Sequence, residues 1–416
     1  MDVHPPAIPE IASPKATHFV ARQPIFNRDQ QVYGYELLYR DSLENCFTSQ
    51  DREAACRGTL DSTLLMGLDV LCEGACTFIN CTREALLDSY ITLLPPQSTI
   101  VEVLETVMPE PEVFSACRAL KDAGYRVALD DFVPGDAREP LTEVADLIKL
   151  DLKTTPRSQW EAMARTYSAR SITMLAEKVE THEQFRATLN LGFAYFQGYF
   201  FQKPVVYAGS EIPHNQLNYL RMLQAVYQPE LDWNVLEKLI KHEASLCYRL
   251  LRYLNSASFG FRREIRTVRH ALSMLGERQI RKWITLVATV GAGRDKPDEL
   301  VRSALVRGHF CELLSRRSKK READHFLLGL FSLMDAILGM PMADILARVP
   351  IDHEIRHALL GLSSPLRPLY DLMLAQENAD WQKCCELAIQ LSFSEQDITQ
   401  AYLESVRWAR EIVSLR

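Results

Sequence analysis

The sequence predicts two halves of different class, an α/β parallel sheet or barrel up to about residue 204 and an all-α region after residue 215. Three observations predict it. Short apolar runs of strand length alternate with helical patterns through the first half. Charged and amide residues recur at the far ends of those runs: Glu36, Asn80, Glu102, Asp130, Lys149, Glu177 and Gln197. Beyond Asn215 the apolar spacing settles on three and four residues, and no strand pattern returns.

In chain order, 18–26 and 32–40 read as strands joined by the polar turn NRDQ, the second carrying Glu36 and Arg40. Leu60, Leu64, Leu65, Leu68 and Leu71 mark a helix over 52–71. A strand at 76–80 ends on Asn80, a helix follows at 83–89, and Pro95 and Pro96 break the chain. The strand at 98–104 carries Glu102, and the helix at 112–123 is stopped by Gly124. Strands at 125–129 and 145–150 flank a Pro/Gly-broken loop with a short helical piece, a unit that requires a parallel crossover. A helix at 158–169, a strand at 171–176 leading to Glu177, a helix at 183–191 and a run at 193–201 with Gln197 complete the first half. Helices are then expected at 235–240, 244–254, 268–275, 280–290, 299–314, 326–338, 355–362, 366–375 and 380–391. The divisions that result are a disordered tail at 1–16, a barrel domain at 17–206 and a helical domain at 207–416.

Composition narrows the class. A net charge of −7 and a pI near 5.9 give no electrostatic reason to expect nucleic acid. The basic run RRSKKR at 316–321 reads as a solvated helix end. Ten cysteines show no CxxC pair; Cys72, Cys76 and Cys81 have no histidine among them, and Cys384–Cys385 is a bare vicinal pair. They read as buried reduced thiols, which implies a cytoplasmic setting. The proline-rich N-terminal stretch lacks a signal pattern. The longest apolar candidate, 326–339, spans 14 residues and contains Asp335, so a core helix is expected and no membrane span.

The strand-end residues supply hard oxygen donors, a set suited to Mg²⁺ or Mn²⁺. Two carboxylates about 4 Å apart repel by roughly 4 kcal/mol at an effective dielectric of 20, so something must offset several together. Besides a metal, a raised pKa on one member or an ammonium partner would serve, and Lys149 could be that partner. Adjacent Asp130 and Asp131 can bridge two ions and clamp an in-line attack on phosphorus, with Glu177 or Lys149 positioning or activating water. Taken singly, each acid reads as a solvated strand end or helix cap; in succession they read as a site. The same chemistry leaves open an enolase-like lyase using Mg²⁺ and Lys149.

In this order the residues resemble an EAL domain, the cyclic di-GMP phosphodiesterase family with a modified β/α barrel. The resemblance covers residues 18–206. It is carried by QPIF at 23–26, ELLYR at 36–40, FIN at 78–80, EVLE at 102–105, DDF at 130–132, KLD at 149–151, AEKVET at 176–181 and QGYFFQKP at 197–204. It implies metal ligation, by one or two ions, at Glu36, Asn80, Glu102, Asp130, Asp131 and Glu180. It also implies that Lys149, Glu177 and Asp131 serve catalysis, and that Gln23, Arg40 and Gln197 contact the nucleotide, Arg40 on phosphate. Glu105 resembles the residue that steadies the loop after the double aspartate. Three features depart from the pattern. The family's DDFGTGYSS loop reads DDFVPGD here, the glycine of AEGVE is Lys178, and the domain is short, with no counterpart of a base-binding helical segment.

The second half resembles an HDOD domain, an all-helical relative of the HD phosphohydrolases, through LLRYLNSASFG at 250–260 and IRTVRHALSMLGERQIRKWI at 265–284. The metal-binding His-Asp dipeptide is missing: Asp324–His325 is reversed, and His242, His270 and His309 have no adjacent Asp. Together these imply a metal-dependent phosphodiesterase opening cyclic di-GMP to pGpG, with the HDOD half as a non-catalytic contact for a protein partner and with room for a homodimer. The alternative is an inactive cyclic di-GMP receptor or scaffold.

Overall fold

The computed structural model describes residues 19–40, 71–88, 90–202, 214–242, 268–293, 295–317 and 324–413. The expected tail, all but the end of the 52–71 helix, the 244–254 helix, the LLRYLNSASFG stretch at 250–260 and residues 318–321 of the RRSKKR run lie outside the described residues. Eight strands close into a barrel: β1 (Phe19–Phe26), β2 (Val32–Arg40), β3 (Cys76–Cys81), β4 (Thr99–Val103), β5 (Arg126–Leu129), β6 (Leu147–Asp151), β7 (Thr173–Glu177) and β8 (Tyr195–Gln197). From β2 to β8 neighbouring strands pair in parallel, whereas β1 runs antiparallel between β2 and β8. The reversal of β1 follows from its turn. Asn27 Oδ1 accepts from the N–H groups of Asp29 and Gln31, closing a hairpin too short for a crossover.

Alternation along each strand sorts its side chains. Ile25, Phe78, Ile100, Ala128, Leu147 and Leu175 gather in the interior. Val101, Val103, Val127, Leu129, Ile148, Leu150 and Met174 face outward into a larger core. That core receives α1 (Arg83–Leu87), α2 (Pro111–Asp122), α3 (Arg157–Ser168) and α4 (His182–Asn190). The short helical piece expected between β5 and β6 is a 3₁₀ helix, Glu139–Glu143. One expectation in this half needs correction. The 193–201 run yields only the short β8, followed by a 3₁₀ turn at Tyr199–Gln202. Gly198, at φ +141, is the cause: a Cβ there would stand 2.3 Å from Val179 O, so the chain presses against the β7–α4 connection and turns away.

Among the described residues the second half is helical: α5 (His214–Val226), α6 (Trp233–His242), α7 (Val268–Leu275), α8 (Glu277–Ala292), α9 (Asp298–Arg317), α10 (His325–Phe331), α11 (Met334–Leu338), α12 (Met342–Arg348), α13 (His353–Leu359), α14 (Arg367–Glu377), α15 (Trp381–Leu391) and α16 (Glu395–Val413). Gly329 of α10 lets α9 pass at backbone contact, since a Cβ there would meet Arg307 O at 2.1 Å. The helix expected at 326–338 is two helices. The Ser332 hydroxyl donates to Gly329 O at 2.6 Å and accepts from Arg307 at 3.0 Å, ending the first. Among the described residues no helix is long and apolar enough to cross a membrane.

The halves share one continuous apolar core. β8 pairs with β1 only at Ile25 and Phe26, and the helical half occupies the rest of that edge: Gln376 donates to Val20 O at 3.0 Å, and Tyr402 Oη accepts from Arg22 N at 3.4 Å. Arg22 bonds to Leu71 O at 2.5 Å, lies 4.0 Å from Glu299 and stacks 4.4 Å over the Tyr35 ring. Tyr35 in turn donates to Glu299 at 2.8 Å. Lower down, Arg307 joins Glu377 at 2.5 Å and Gln202 at 2.8 Å.

In the helical half, His309 stacks on Trp408 with ring centres 4.5 Å apart, and burial drops its pKa to about 4. The unfolded chain, near the ordinary 6.5, therefore binds the extra proton. The stability His309 contributes is full above about pH 6.5 and is lost as pH falls toward 4. We expect His309→Phe, which keeps the stack, to lose about 1–2 kcal/mol less than wild type between pH 7 and 4.5, because solvent reaches part of the ring. Urea midpoints at the two pH values measure it; equal losses would show that the imidazole does not titrate across this interval.

Candidate functional site

The period of two that builds the interior also builds the site. One step toward the mouth from each interior apolar residue, the same strand face carries a polar one: Asn80 after Phe78, Glu102 after Ile100, Asp130 after Ala128, Lys149 after Leu147 and Glu177 after Leu175. β1 runs the other way, so Gln23 precedes Ile25, and the β1–β2 register sets Gln23 opposite Glu36. The result is a polar ring over an apolar floor.

Lys149 stands at its centre. Its Nζ lies 2.7 Å from Glu102, 2.8 Å from Asp130, 3.0 Å from Glu177 and 3.3 Å from Glu36. Two amides complete the ring: Asn80 donates to Glu36 Oε1 at 2.8 Å, while Gln197 donates to Glu36 Oε2 at 2.7 Å and to Gln23 Oε1 at 3.1 Å. One ammonium faces four carboxylates, and the excess negative charge shows in their pKa values. Burial, reinforced by the Glu36 charge, raises Glu102 well above the carboxylate range. Burial raises Asp130 against the pull of Lys149, and it raises Glu177 to about 8. Burial also opposes the ionised form of Glu36, but Lys149, Gln197 and Asn80 together outweigh it and hold this acid low. For Lys149 burial is outweighed by Asp130, Glu102, Glu177 and Glu36, which keep it charged.

The donors on offer are oxygens, and Glu102 Oε2, Glu177 Oε2 and Gln197 Oε1 are buried with no hydrogen-bond partner. That chemistry fits a hard divalent cation, and Glu36, Asn80, Glu102 and Asp130 are the residues that could hold one. As the side chains stand, no group of three or more His, Cys, Asp or Glu among the described residues is spaced for an ion; the carboxylates close on Lys149 instead. Both offsets foreseen from the sequence, an ammonium partner and raised pKa values, are thus present.

Around the ring, Asp131 takes left-handed backbone at φ 43, and Lys178 does so at φ 54. For residues with a side chain such backbone costs on the order of 1 kcal/mol or more. The Lys178 ammonium bonds to buried Asp151 at 2.5 Å and lies 3.7 Å from Asp131 Oδ1. Glu180 does not join the ring; it pairs with Lys153 at 2.5 Å and is half-exposed. Arg40 lies at the end of β2, but its side chain is outside the described residues. Glu105 is exposed, and buried Arg138 ties down the loop after the double aspartate, donating to Asp130 O at 2.8 Å, Val103 O at 3.1 Å and Asp136 at 2.7 Å. Neither Arg138 nor the Lys178–Asp151 pair was read as functional from the sequence. The one available signal for Lys178 was its place where the resembling family has glycine.

Comparison with known proteins places both halves of the chain in known families. Residues 77–204 match the EAL domain family and residues 212–342 the HDOD domain family. The protein YuxH of Bacillus subtilis is 32% identical over 408 residues, 96% of this chain and 99% of YuxH. The cyclic di-GMP phosphodiesterase CdgJ of Vibrio cholerae is 32% identical over 403 residues, 95% of this chain and 93% of CdgJ. A solved manganese and cyclic di-GMP complex of Klebsiella pneumoniae BlrP1 is similar at 25% identity and a TM-score of 0.37, covering 45% of this chain and 56% of that one. With both domains matched in order and two relatives aligned almost end to end, the chain belongs to the family of proteins that join an EAL domain to an HDOD domain.

Proposed function

We propose that the chain is a divalent-metal-dependent phosphodiesterase that opens cyclic di-GMP to linear pGpG, with the helical half as a non-catalytic protein contact in the cytoplasm. The observation that carries the reading is the ring of Glu36, Asn80, Glu102, Asp130 and Glu177 about Lys149 at one barrel mouth, with buried carboxylate oxygens left unpaired. The name of CdgJ, similar over 93% of its length, supports the substrate.

Glu36, Asn80, Glu102 and Asp130 would hold Mg²⁺ or Mn²⁺, with Asp131 beside them. When bound, such an ion supplies Lewis acidity toward a phosphate oxygen and toward water. The apolar floor of Ile25, Phe78, Ile100, Ala128, Leu147 and Leu175 excludes water from below, which strengthens every charge interaction above it. Lys149 fixes the spacing of the carboxylates and positions the attacking water. Glu177, whose carboxyl burial raises while no ion is bound, is placed to take a proton from that water as its oxygen bonds to phosphorus. The 3′ oxygen then leaves and takes a proton from solvent, while Glu177 returns its own to solvent, giving pGpG. Gln23 and Gln197 would contact the nucleotide, and Arg40 a phosphate.

A second reading has a specific observation behind it. The DDFVPGD loop, stiffened by Pro134 and clamped by Arg138, favours a receptor that binds cyclic di-GMP without turning it over. Incubation of the purified protein with cyclic di-GMP and Mn²⁺ separates the two. Turnover to pGpG that falls at least about 10³-fold in Glu102→Ala is expected. Binding without product would favour the receptor, and neither would remove both readings.

A further inference from the structure

We propose that Lys178 is a built-in cation standing in for a second divalent ion beside Asp131, so that the barrel mouth binds one such ion tightly. The inference rests on the metal-dependent reading above and narrows it. Three observations carry it. Lys178 directly follows Glu177 at the end of β7 and holds left-handed backbone, a conformation a lysine keeps only where its surroundings impose it. Its ammonium is anchored 2.5 Å from Asp151 Oδ2, and Asp151 is itself buried and held through Oδ1 by the N–H groups of Lys153 at 2.6 Å and Thr154 at 3.4 Å. From that anchor the ammonium stands 3.7 Å from Asp131 Oδ1, a buried oxygen with no hydrogen-bond partner.

The paired aspartates therefore answer to different cations. Asp130 turns to Lys149 at 2.8 Å and Asp131 to Lys178. A divalent ion against Asp131 would lie within a few ångströms of a tethered ammonium, at a separation where salt screens little. Lys178 supplies positive charge there but no open coordination position, so it neutralises Asp131 without acting as a Lewis acid. Metal chemistry is left to the single ion that the ring about Lys149 can take.

Titration of the full-length protein with Mn²⁺ at neutral pH, the free ion read by its paramagnetic resonance signal, tests this without any turnover. Wild type should bind one tight ion per chain. Lys178→Met keeps length and backbone but removes the charge, and should bind a second ion with an affinity raised roughly 100-fold. Lys178→Gly, which also relieves the backbone, should do the same. A second tight ion in wild type, or one ion in both variants, overturns the role given to Lys178 and leaves the metal reading intact. Failure of all three proteins to bind Mn²⁺ overturns the metal reading and this inference with it.

Discussion

Replacing Lys149 by methionine should destabilise the chelator-treated protein by about 3–5 kcal/mol, and Mn²⁺ should restore much of that loss. The buried ammonium contacts four carboxylates, and removing it leaves them facing one another over an apolar floor. Glu102, Asp130 and Glu177 are already displaced upward and can take protons, which limits the damage. Glu36, held low by Lys149 and two amides, is the acid with least room to adjust. A divalent ion would supply the missing charge, so the variant should gain more from Mn²⁺ than wild type does. Urea unfolding in chelator and in Mn²⁺ measures the difference. An equal loss in both conditions would mean that Lys149 acts through packing and that its charge is incidental.

The second large effect is expected at the junction. Arg22→Met removes the guanidinium that bonds Leu71 O and approaches Glu73 at 3.4 Å and Glu299 at 4.0 Å. Arg302 remains, 3.1 Å from Glu73 and 3.4 Å from Glu299, so one buried charge is left short of a partner and not both. A loss of about 3 kcal/mol follows. Its consequence is cooperativity: Trp160 lies in the barrel, whereas Trp233, Trp283, Trp381 and Trp408 lie in the helical half, so fluorescence reports mainly the latter. In the variant the fluorescence and circular dichroism transitions should separate, and adding Glu299→Gln should bring part of the stability back. Coincident transitions at an unchanged midpoint would show that the junction is held by its apolar core alone.

What the sequence made legible was the part governed by local rules. Alternation put Asn80, Glu102, Asp130, Lys149 and Glu177 at strand ends, and the barrel needed only closure to bring them together. The antiparallel β1 was half visible, since a turn as short as NRDQ excludes a crossover. Long-range pairings were not visible. Nothing near Lys178 in the chain names Asp151 as its anchor, and Glu180 fell to Lys153 because a neighbouring surface cation competed for it. Arg138 was not legible as a tie on this loop because it acts from the loop's far end on two backbone carbonyls, Val103 O and Asp130 O, which nothing local to it in the chain names. The break at Ser332 escaped an apolar-spacing argument, as a hydroxyl that captures a carbonyl does not disturb hydrophobic periodicity.

From Val20 to Gln23 the outer side of β1 has no strand beside it among the described residues, and side chains from α14 and α16 occupy the main-chain groups there. Stripped of the helices, that row of donors and acceptors would be a template on which another chain could extend the sheet. The helical half therefore also covers that row, and a barrel fragment made alone is expected to associate with itself whatever its catalytic competence.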